Sequence, residues 1–469
     1  MTKGSFHVIT LGCPKNTVDS ETMTALLKSA GYVGVEEPEN ADVVIVNTCC
    51  FIEPARAESI NVILEAACLK QETGGFLVVA GCLPQRYKDE ISKAIPEVDG
   101  WIGLEDESAI VGVIEKVLKG KKVKKYKKNA PLKYPILPRS YVTPDNYGYI
   151  KIADGCSHGC SFCAIPRIRG KYRSLPMEEI ERQAQDLINS GRREIILIAQ
   201  DTTLYGIDLY GKKMLPELLD RLSSIKNLHW LRLMYSYPDS LDDKTLAVMA
   251  LRENICKYLD IPLQHSDPEV LKKMGRSIKH PRQIIEKIKK YMPDAVIRSS
   301  FITGHPGETE KRFLALADFI KEAEFYNLGV FAYSPEEGTE SFGYKSKPSR
   351  KEAERRRDYL LSLQQEVSLR LRQKMIGKVI PAVCESLLNK AADGSDFIVE
   401  FEGSSPGTLA KIPPGTTAIG RTVNDAPEID GLLYITGKPP DTGQYFKVKV
   451  KSAGFYDLLG KAFFGETLS

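Results

Sequence analysis

The sequence predicts an α/β chain in three parts: an N-terminal parallel α/β domain, a central open (βα)6 partial barrel, and a small C-terminal antiparallel β-barrel. Three observations carry this. Apolar β-rich runs alternate with helical periodicity from Phe6 to Leu118, and six strand–helix units follow between Tyr147 and Met375. After Gly377 the long helices stop and short alternating runs take over. The parts are residues 1–120, a connection over 121–144, a core over 145–376 and a barrel over 377–469.

The totals set bounds. A chain of 469 residues with 42% hydrophobic and 27% charged content has the size and composition of an ordinary multi-domain globular protein. A formal net charge of +4 and a pI near 8.3 favour an anionic partner such as a ribonucleoprotein. The first residues, Met1–His7, read directly into a strand, and no run approaches the ~18 apolar residues that a membrane helix needs. Ten cysteines are too sparse for a secreted disulfide scaffold. Their grouping suggests metal ligation in a reducing compartment, with the cytoplasm as the expected location.

In the N-terminal part, strands are expected at Phe6–Leu11, Asp42–Asn47, Phe76–Ala80 and near Ile102. Helices are expected over Val18–Ala30, Ala55–Lys70, Gln85–Ala94 and Glu107–Leu118. The alternation gives a parallel sheet covered by helices on both faces. Cys13, Cys49 and Cys82 each follow one of the first three strands. They therefore share the carboxyl edge, where open α/β sheets hold ligands. Three thiols at one rim point to an iron–sulfur cluster with an open iron. Cys50, beside Cys49, and Cys68, inside a helix, read as structural cysteines.

Lys119–Lys128 is a dense basic run followed by Pro131, Pro135 and Pro138, which exclude a continuous helix. It reads as a solvated, flexible surface connection that could also touch ribosomal or transfer RNA through phosphates.

The core strands are expected at Tyr147–Ala153, Glu194–Ala199, His229–Met234, Tyr258–Leu263, Val296–Ile302 and Leu328–Ala332, each followed by helical periodicity. Directly after the first comes Cys156-Ser157-His158-Gly159-Cys160-Ser161-Phe162-Cys163, three thiols at C-x3-C-x2-C spacing. Thiolates are soft donors suited to an iron–sulfur cluster, and three of them leave one iron of a four-iron cube open. Gly155 and Gly159 are expected to let the backbone wrap the core closely. Zinc would need a fourth ligand, and His158 reads as a solvated loop residue instead. Strand-end segments containing Gln200, His265, Gly304 and Tyr333 gather on the same rim and suit a small zwitterion and a nucleoside. Cys256 precedes the fourth strand and reads as structural. In the last part, Lys378–Glu385, Asp396–Phe401, Leu432–Thr436 and Gln444–Ser452 read as strands of a small barrel, a form that often binds nucleic acid. Asn424–Gly431 is locally acidic, which makes a basic protein target equally plausible.

Cys156, Cys160 and Cys163, with Cys13, Cys49 and Cys82 upstream, resemble the methylthiotransferase branch of the radical S-adenosylmethionine enzymes over essentially the whole chain, including its C-terminal TRAM barrel. Ala164–Gly170, Ala199–Thr203 and Asp425–Gly431 look like the ribosomal-protein aspartate methylthiotransferases within that branch. The resemblance implies two [4Fe-4S] clusters, one on each cysteine trio. It implies S-adenosylmethionine as radical source and methyl donor, with Phe162, Gln200 and Gly304 among its contacts. Hydrogen abstraction from the β-carbon of an aspartate in a small-subunit ribosomal protein would precede methylthio insertion. The cofactors carry the chemistry, so no side chain is expected to act as a catalytic acid or base. An electron donor such as flavodoxin or ferredoxin and a possible ribosomal RNA contact are also implied. The transfer-RNA-modifying members share the six cysteines, so modification of the adenosine beside the anticodon is the alternative. A non-catalytic iron–sulfur sensor or RNA-binding protein is the alternative of a different class. Two departures stand out: Cys50 occupies a place expected to be glycine, and there is extra sequence around Asn389–Thr417.

Overall fold

The computed structural model describes residues 3–126, 134–278, 280–388, 396–398 and 409–463. The first part contains β1 (Ser5–Thr10), α1 (Pro14–Ser29), β2 (Val33–Gly34), β3 (Val43–Thr48), α2 (Glu53–Thr73) and β4 (Phe76–Gly81). It continues with α3 (Cys82–Tyr87), α4 (Asp89–Ala94), β5 (Gly100–Gly103), α5 (Ile110–Val117) and β6 (Val123–Lys125). All six strands run parallel in the order β2-β1-β3-β4-β5-β6. β3 is buried along its whole length because helices cover both faces. The helix expected over Gln85–Ala94 is two helices, broken where Lys88 takes a φ of +46°.

The connection differs from the expected solvated linker. Val123–Lys125 is the edge strand of the first sheet, and Arg139 is anchored by the buried Glu21 of α1, by the Tyr149 carbonyl and by Gln183. The Val142 amide donates to the same Glu21 carboxylate at 3.0 Å. A buried carboxylate needs such partners, so Glu21 fixes this stretch. Lys127, Lys128 and Pro131 lie outside the described residues.

The core contains β7 (Tyr147–Lys151), β8 (Ala153–Asp154), α6 (Ile165–Ile168), β9 (Arg173–Ser174), α7 (Met177–Asn189), β10 (Glu194–Ile198), α8 (Ile207–Tyr210) and α9 (Leu215–Ser223). It continues through β11 (Trp230–Leu233), α10 (Asp243–Leu251), β12 (Ile255–Asp260), α11 (Pro268–Lys273), α12 (Pro281–Tyr291), β13 (Val296–Thr303), α13 (Glu310–Ala323), β14 (Asn327–Ala332) and α14 (Arg350–Gln373). Six parallel strands are ordered β14-β13-β12-β11-β10-β7, and no pairing joins β14 to β7. Ile195 and Leu197 face the outer helices, whereas Ile196 and Ile198 face inward, as the two-residue period requires. β12 starts three residues before its expected position. Cys256 is therefore a buried member of the strand rather than a residue preceding it.

The last part contains β15 (Val379–Leu387), β16 (Asp396–Ile398), β17 (Leu409–Lys411), β18 (Thr416–Thr422), β19 (Leu433–Thr436), β20 (Tyr445–Ala453) and β21 (Leu458–Phe463). Five of these close a barrel in the order β15-β18-β19-β21-β20. Its pairs are antiparallel except β19 with β21, and β16 and β17 pair separately. Most of the extra sequence, 389–395 and 399–408, lies outside the described residues.

The acidic loop 424–431 turns mostly into the chain. Ala426 is 1% exposed and packs with inward residues of the open barrel such as Tyr258 and Ile196. Asp430 meets Tyr258 and Arg298, and Asp425 faces Arg372. The negative charge is used inside the chain, against arginines that the inner barrel buries. No helix among the described residues is long and apolar enough to cross a membrane.

Candidate active site

Cys13 caps α1 at the end of β1, Cys49 follows β3, and Cys82 opens α3 directly after β4. Gly12 makes the first approach possible. Its φ is +94°, and a Cβ there would lie 2.6 Å from the Cys49 Cβ, so only glycine fits. Asn16 donates to the carbonyls of Leu11 at 2.7 Å and Thr48 at 3.0 Å, tying the ends of β1 and β3 together. The Cys49 amide donates to Ser59 Oγ at 3.1 Å, and that hydroxyl donates back to the Cys49 carbonyl at 2.7 Å.

The second trio sits on the loop after β8. Gly155 has φ +77°, and a Cβ there would come within 2.2 Å of the Lys171 carbonyl. Gly155 is therefore required by the chain's own backbone, whereas a Cβ at Gly159 would meet no protein atom within 4 Å. The loop is clamped by neighbours. The Ser161 amide donates to the Met274 carbonyl at 2.9 Å, its hydroxyl donates to Lys273 O at 2.8 Å, and its carbonyl accepts from Ser341 at 2.8 Å.

All six cysteines line one cavity of about 290 Å³, between the carboxyl edges of the two parallel sheets. Phe162 and Gln200 line it as well. Gln200 donates to Asp154 at 3.0 Å, while its buried Oε1 has no hydrogen-bond partner among the described residues. Gly304 is elsewhere. Its φ of +78° permits contact with α14, where a Cβ would meet the Ala353 Cβ at 2.3 Å, and it lines a second cavity with Ile52 and Tyr333. Cys50 is fully buried in the N-terminal core beside Leu83 and Ile63. Cys68 is exposed on α2.

The sequence reading missed the charged residues that join the two halves. Arg169 donates to Asp19 at 2.8 Å, to Asn16 at 2.7 Å and to Asp154 at 3.1 Å, and reaches 3.8 Å from Cys82 Sγ. Lys151 pairs with the same two carboxylates. Burial alone would raise the Asp154 carboxyl, but Lys151 and Arg169 hold it well below the usual range. His158 is not a free loop side chain: its Nε2 lies 2.7 Å from Asp201, and its ring stacks on Tyr237 at 3.7 Å. Lys15 of α1 lies 3.2 Å over the Tyr235 ring. Desolvation pulls its ammonium below the ordinary value, against the opposing pull of Cys13. Tyr235 has φ +58°, held by its amide donating to Asp260 and its carbonyl accepting from Thr202.

The donor set suits a thiolate-held iron–sulfur cluster. Burial pushes the thiols of Cys49 and Cys156 up to about 11, and those of Cys82 and Cys163 upward too, with neighbouring thiols adding to the effect. Three thiolates in such a place repel one another, so their ionised form calls for a cationic partner. Among the described residues, no group of three or more His, Cys, Asp or Glu side chains could hold a single metal ion.

Three family models match the chain: Uncharacterized protein family UPF0004 over residues 5–103, the Radical SAM superfamily over 150–320, and the TRAM domain over 412–463. Curated relatives are similar from end to end. "Ribosomal protein uS12 methylthiotransferase RimO" of Caldanaerobacter subterraneus subsp. tengcongensis is 44% identical, covering 97% of this chain and 99% of its own. The protein of the same name from Thermotoga maritima is 40% identical over 96% and 98%. Among solved structures, the radical S-adenosylmethionine methyltransferase TsrM of Kitasatospora setae, with cobalamin and a [4Fe-4S] cluster bound, shares the fold. It aligns with a TM-score of 0.54 at 14% identity, over 73% of this chain and 77% of that one. On its full-length identity to these relatives, the chain belongs to the RimO methylthiotransferase family.

Proposed function

We propose that this chain methylthiolates the β-carbon of an aspartate in ribosomal protein uS12. The observation that carries the proposal is the convergence of six cysteines from two sheets on one cavity. Cys156, Cys160 and Cys163 would hold one [4Fe-4S] cluster, and Cys13, Cys49 and Cys82 a second. When bound, these groups and S-adenosylmethionine supply radical initiation and a methylated sulfur, chemistry that acid–base side chains cannot perform on an unactivated C–H bond.

The chain's own residues bind and orient. Phe162 and Gln200 face the cavity from the core side, where the unpartnered Gln200 Oε1 offers an acceptor to a cofactor donor. Arg169 bridges Asp19 of α1 and Asp154 of β8, which ties the N-terminal part to the core between the two trios. The buried aromatic walls, including Tyr237, restrict water around reactive groups.

The test is an iron count. Anaerobically reconstituted protein should hold about eight irons, two four-iron clusters. Replacing Cys13, Cys49 and Cys82 together with alanine should remove about half. Unchanged iron in that variant would contradict the second cluster.

A further inference from the structure

The cavity that carries the six cysteines is lined by no aspartate or glutamate, but by Lys15, Arg169, Arg276 and His158. Beside the six thiols, that lining supplies basic side chains and no carboxylate, so a basic group not engaged by the thiols or the chain can take an anion. Three of the four are engaged within the chain. Arg169 binds Asp19 and Asp154, His158 binds Asp201, and Arg276 donates to the Pro262 carbonyl and stacks on Tyr237 at 4.1 Å. Lys15 is different. It is 7% exposed and makes no hydrogen bond or ion pair to any described residue. Its contact is the Tyr235 ring, which offsets only part of the cost of burying an ammonium.

Tyr235 is held in its left-handed conformation by groups on two other strand ends, Asp260 and Thr202. That conformation makes the ring a fixed platform, and Lys15 lies in the first turn of α1, whose N-terminal end adds positive potential. On the reading that the substrate is an aspartate, its side-chain carboxylate is bonded directly to the reacting β-carbon. A cation that fixes the carboxylate therefore fixes the reacting carbon one bond away.

We propose that Lys15 receives the carboxylate of the target aspartate and makes the site select an acidic residue over its amide. The proposal rests on the function stated above. It assigns Lys15 a positioning and specificity role and no proton transfer.

The test uses reconstituted holoenzyme without reductant and fluorescently labelled uS12 segments carrying the modified aspartate or asparagine at that place. Wild type should bind the aspartate segment roughly tenfold or more tighter than the asparagine segment, the expected reach of one charge-assisted contact. Lys15→Met should erase that preference while keeping its iron content, and Lys15→Arg should restore most of it. Equal binding of the two segments by wild type, or an undiminished preference in Lys15→Met, overturns the assignment. So does a Lys15→Met that loses affinity for S-adenosylmethionine instead, since the lysine would then serve the methionine carboxylate. If wild type modifies no aspartate of uS12, the substrate reading fails first, and the Lys15 proposal falls with it before any variant is made.

Discussion

Tyr258 donates its phenol to Asp430 at 2.6 Å, joining a central barrel strand to a loop 172 residues later in the C-terminal barrel. The same carboxylate accepts the Ala426 amide at 2.9 Å and lies 3.4 Å from Arg298. Loop 424–431 therefore plugs the inner side of the open barrel through hydrogen bonds and ion pairs that replace water around buried charge.

Asp430→Ala should leave the buried Arg298 without this partner and strand the Tyr258 hydroxyl. Breaking such a pair costs about 3–5 kcal/mol. The expected outcome is a clear fall in melting temperature, with faster proteolytic release of the C-terminal barrel. A melting temperature within error of wild type would contradict the plug.

Asp425 gives a pH signature. Burial pushes its carboxyl up to about 6, with Asp430 adding to the shift and Arg372 opposing it. A folded value above the unfolded one means that the protonated form is favoured in the folded state. That contribution is full below about pH 4 and is lost as pH rises through 6, a swing of about 3 kcal/mol. Asp425→Asn removes the titration, so its stability relative to wild type should increase between pH 4 and pH 8. A difference that is flat with pH would refute this.

Arg169→Ala should leave two buried carboxylates, Asp19 and Asp154, partly uncompensated at the joint between the sheets. A loss of about 3–5 kcal/mol is expected. Because Arg169 also reaches Asn16 and Cys82, reconstituted iron should fall toward half, with the loss on the N-terminal trio. Full iron with full stability would contradict a linked joint.

Two substitutions separate the cysteine cradle from its surroundings. Gly12→Ala would force a Cβ to within 2.6 Å of the Cys49 Cβ, so about half of the iron should be lost, as expected for one of two clusters. Cys50→Ala removes one buried sulfur that does not line the cavity. It should cost roughly 1–2 kcal/mol and leave iron unchanged. Iron loss on changing Cys50 would return it to the site.

Much of this was legible in the sequence because its signals are local. Strand-end positions of Cys13, Cys49 and Cys82, and the spacing of Cys156, Cys160 and Cys163, need only periodicity and short motifs. What escaped is long-range pairing. Nothing near Arg169 in sequence names Asp19 as its partner, and Lys15 reads as one more charged residue until the fold lays it on Tyr235. The acidic run at 424–431 looked like a partner surface for the same reason, since Arg298 and Arg372 lie on a strand and a helix distant in sequence. The edge strand Val123–Lys125 was hidden by its lysines, which suit a solvent-facing edge as well as a linker.

The substrate is tested most directly by tandem mass spectrometry of uS12 and of transfer RNA, after incubation with reconstituted enzyme, S-adenosylmethionine and a low-potential reductant. A methylthio group is expected on the β-carbon of one uS12 aspartate, absent when Cys13, Cys49 and Cys82 are replaced. Unmodified uS12 alongside methylthiolated transfer RNA adenosine would contradict it.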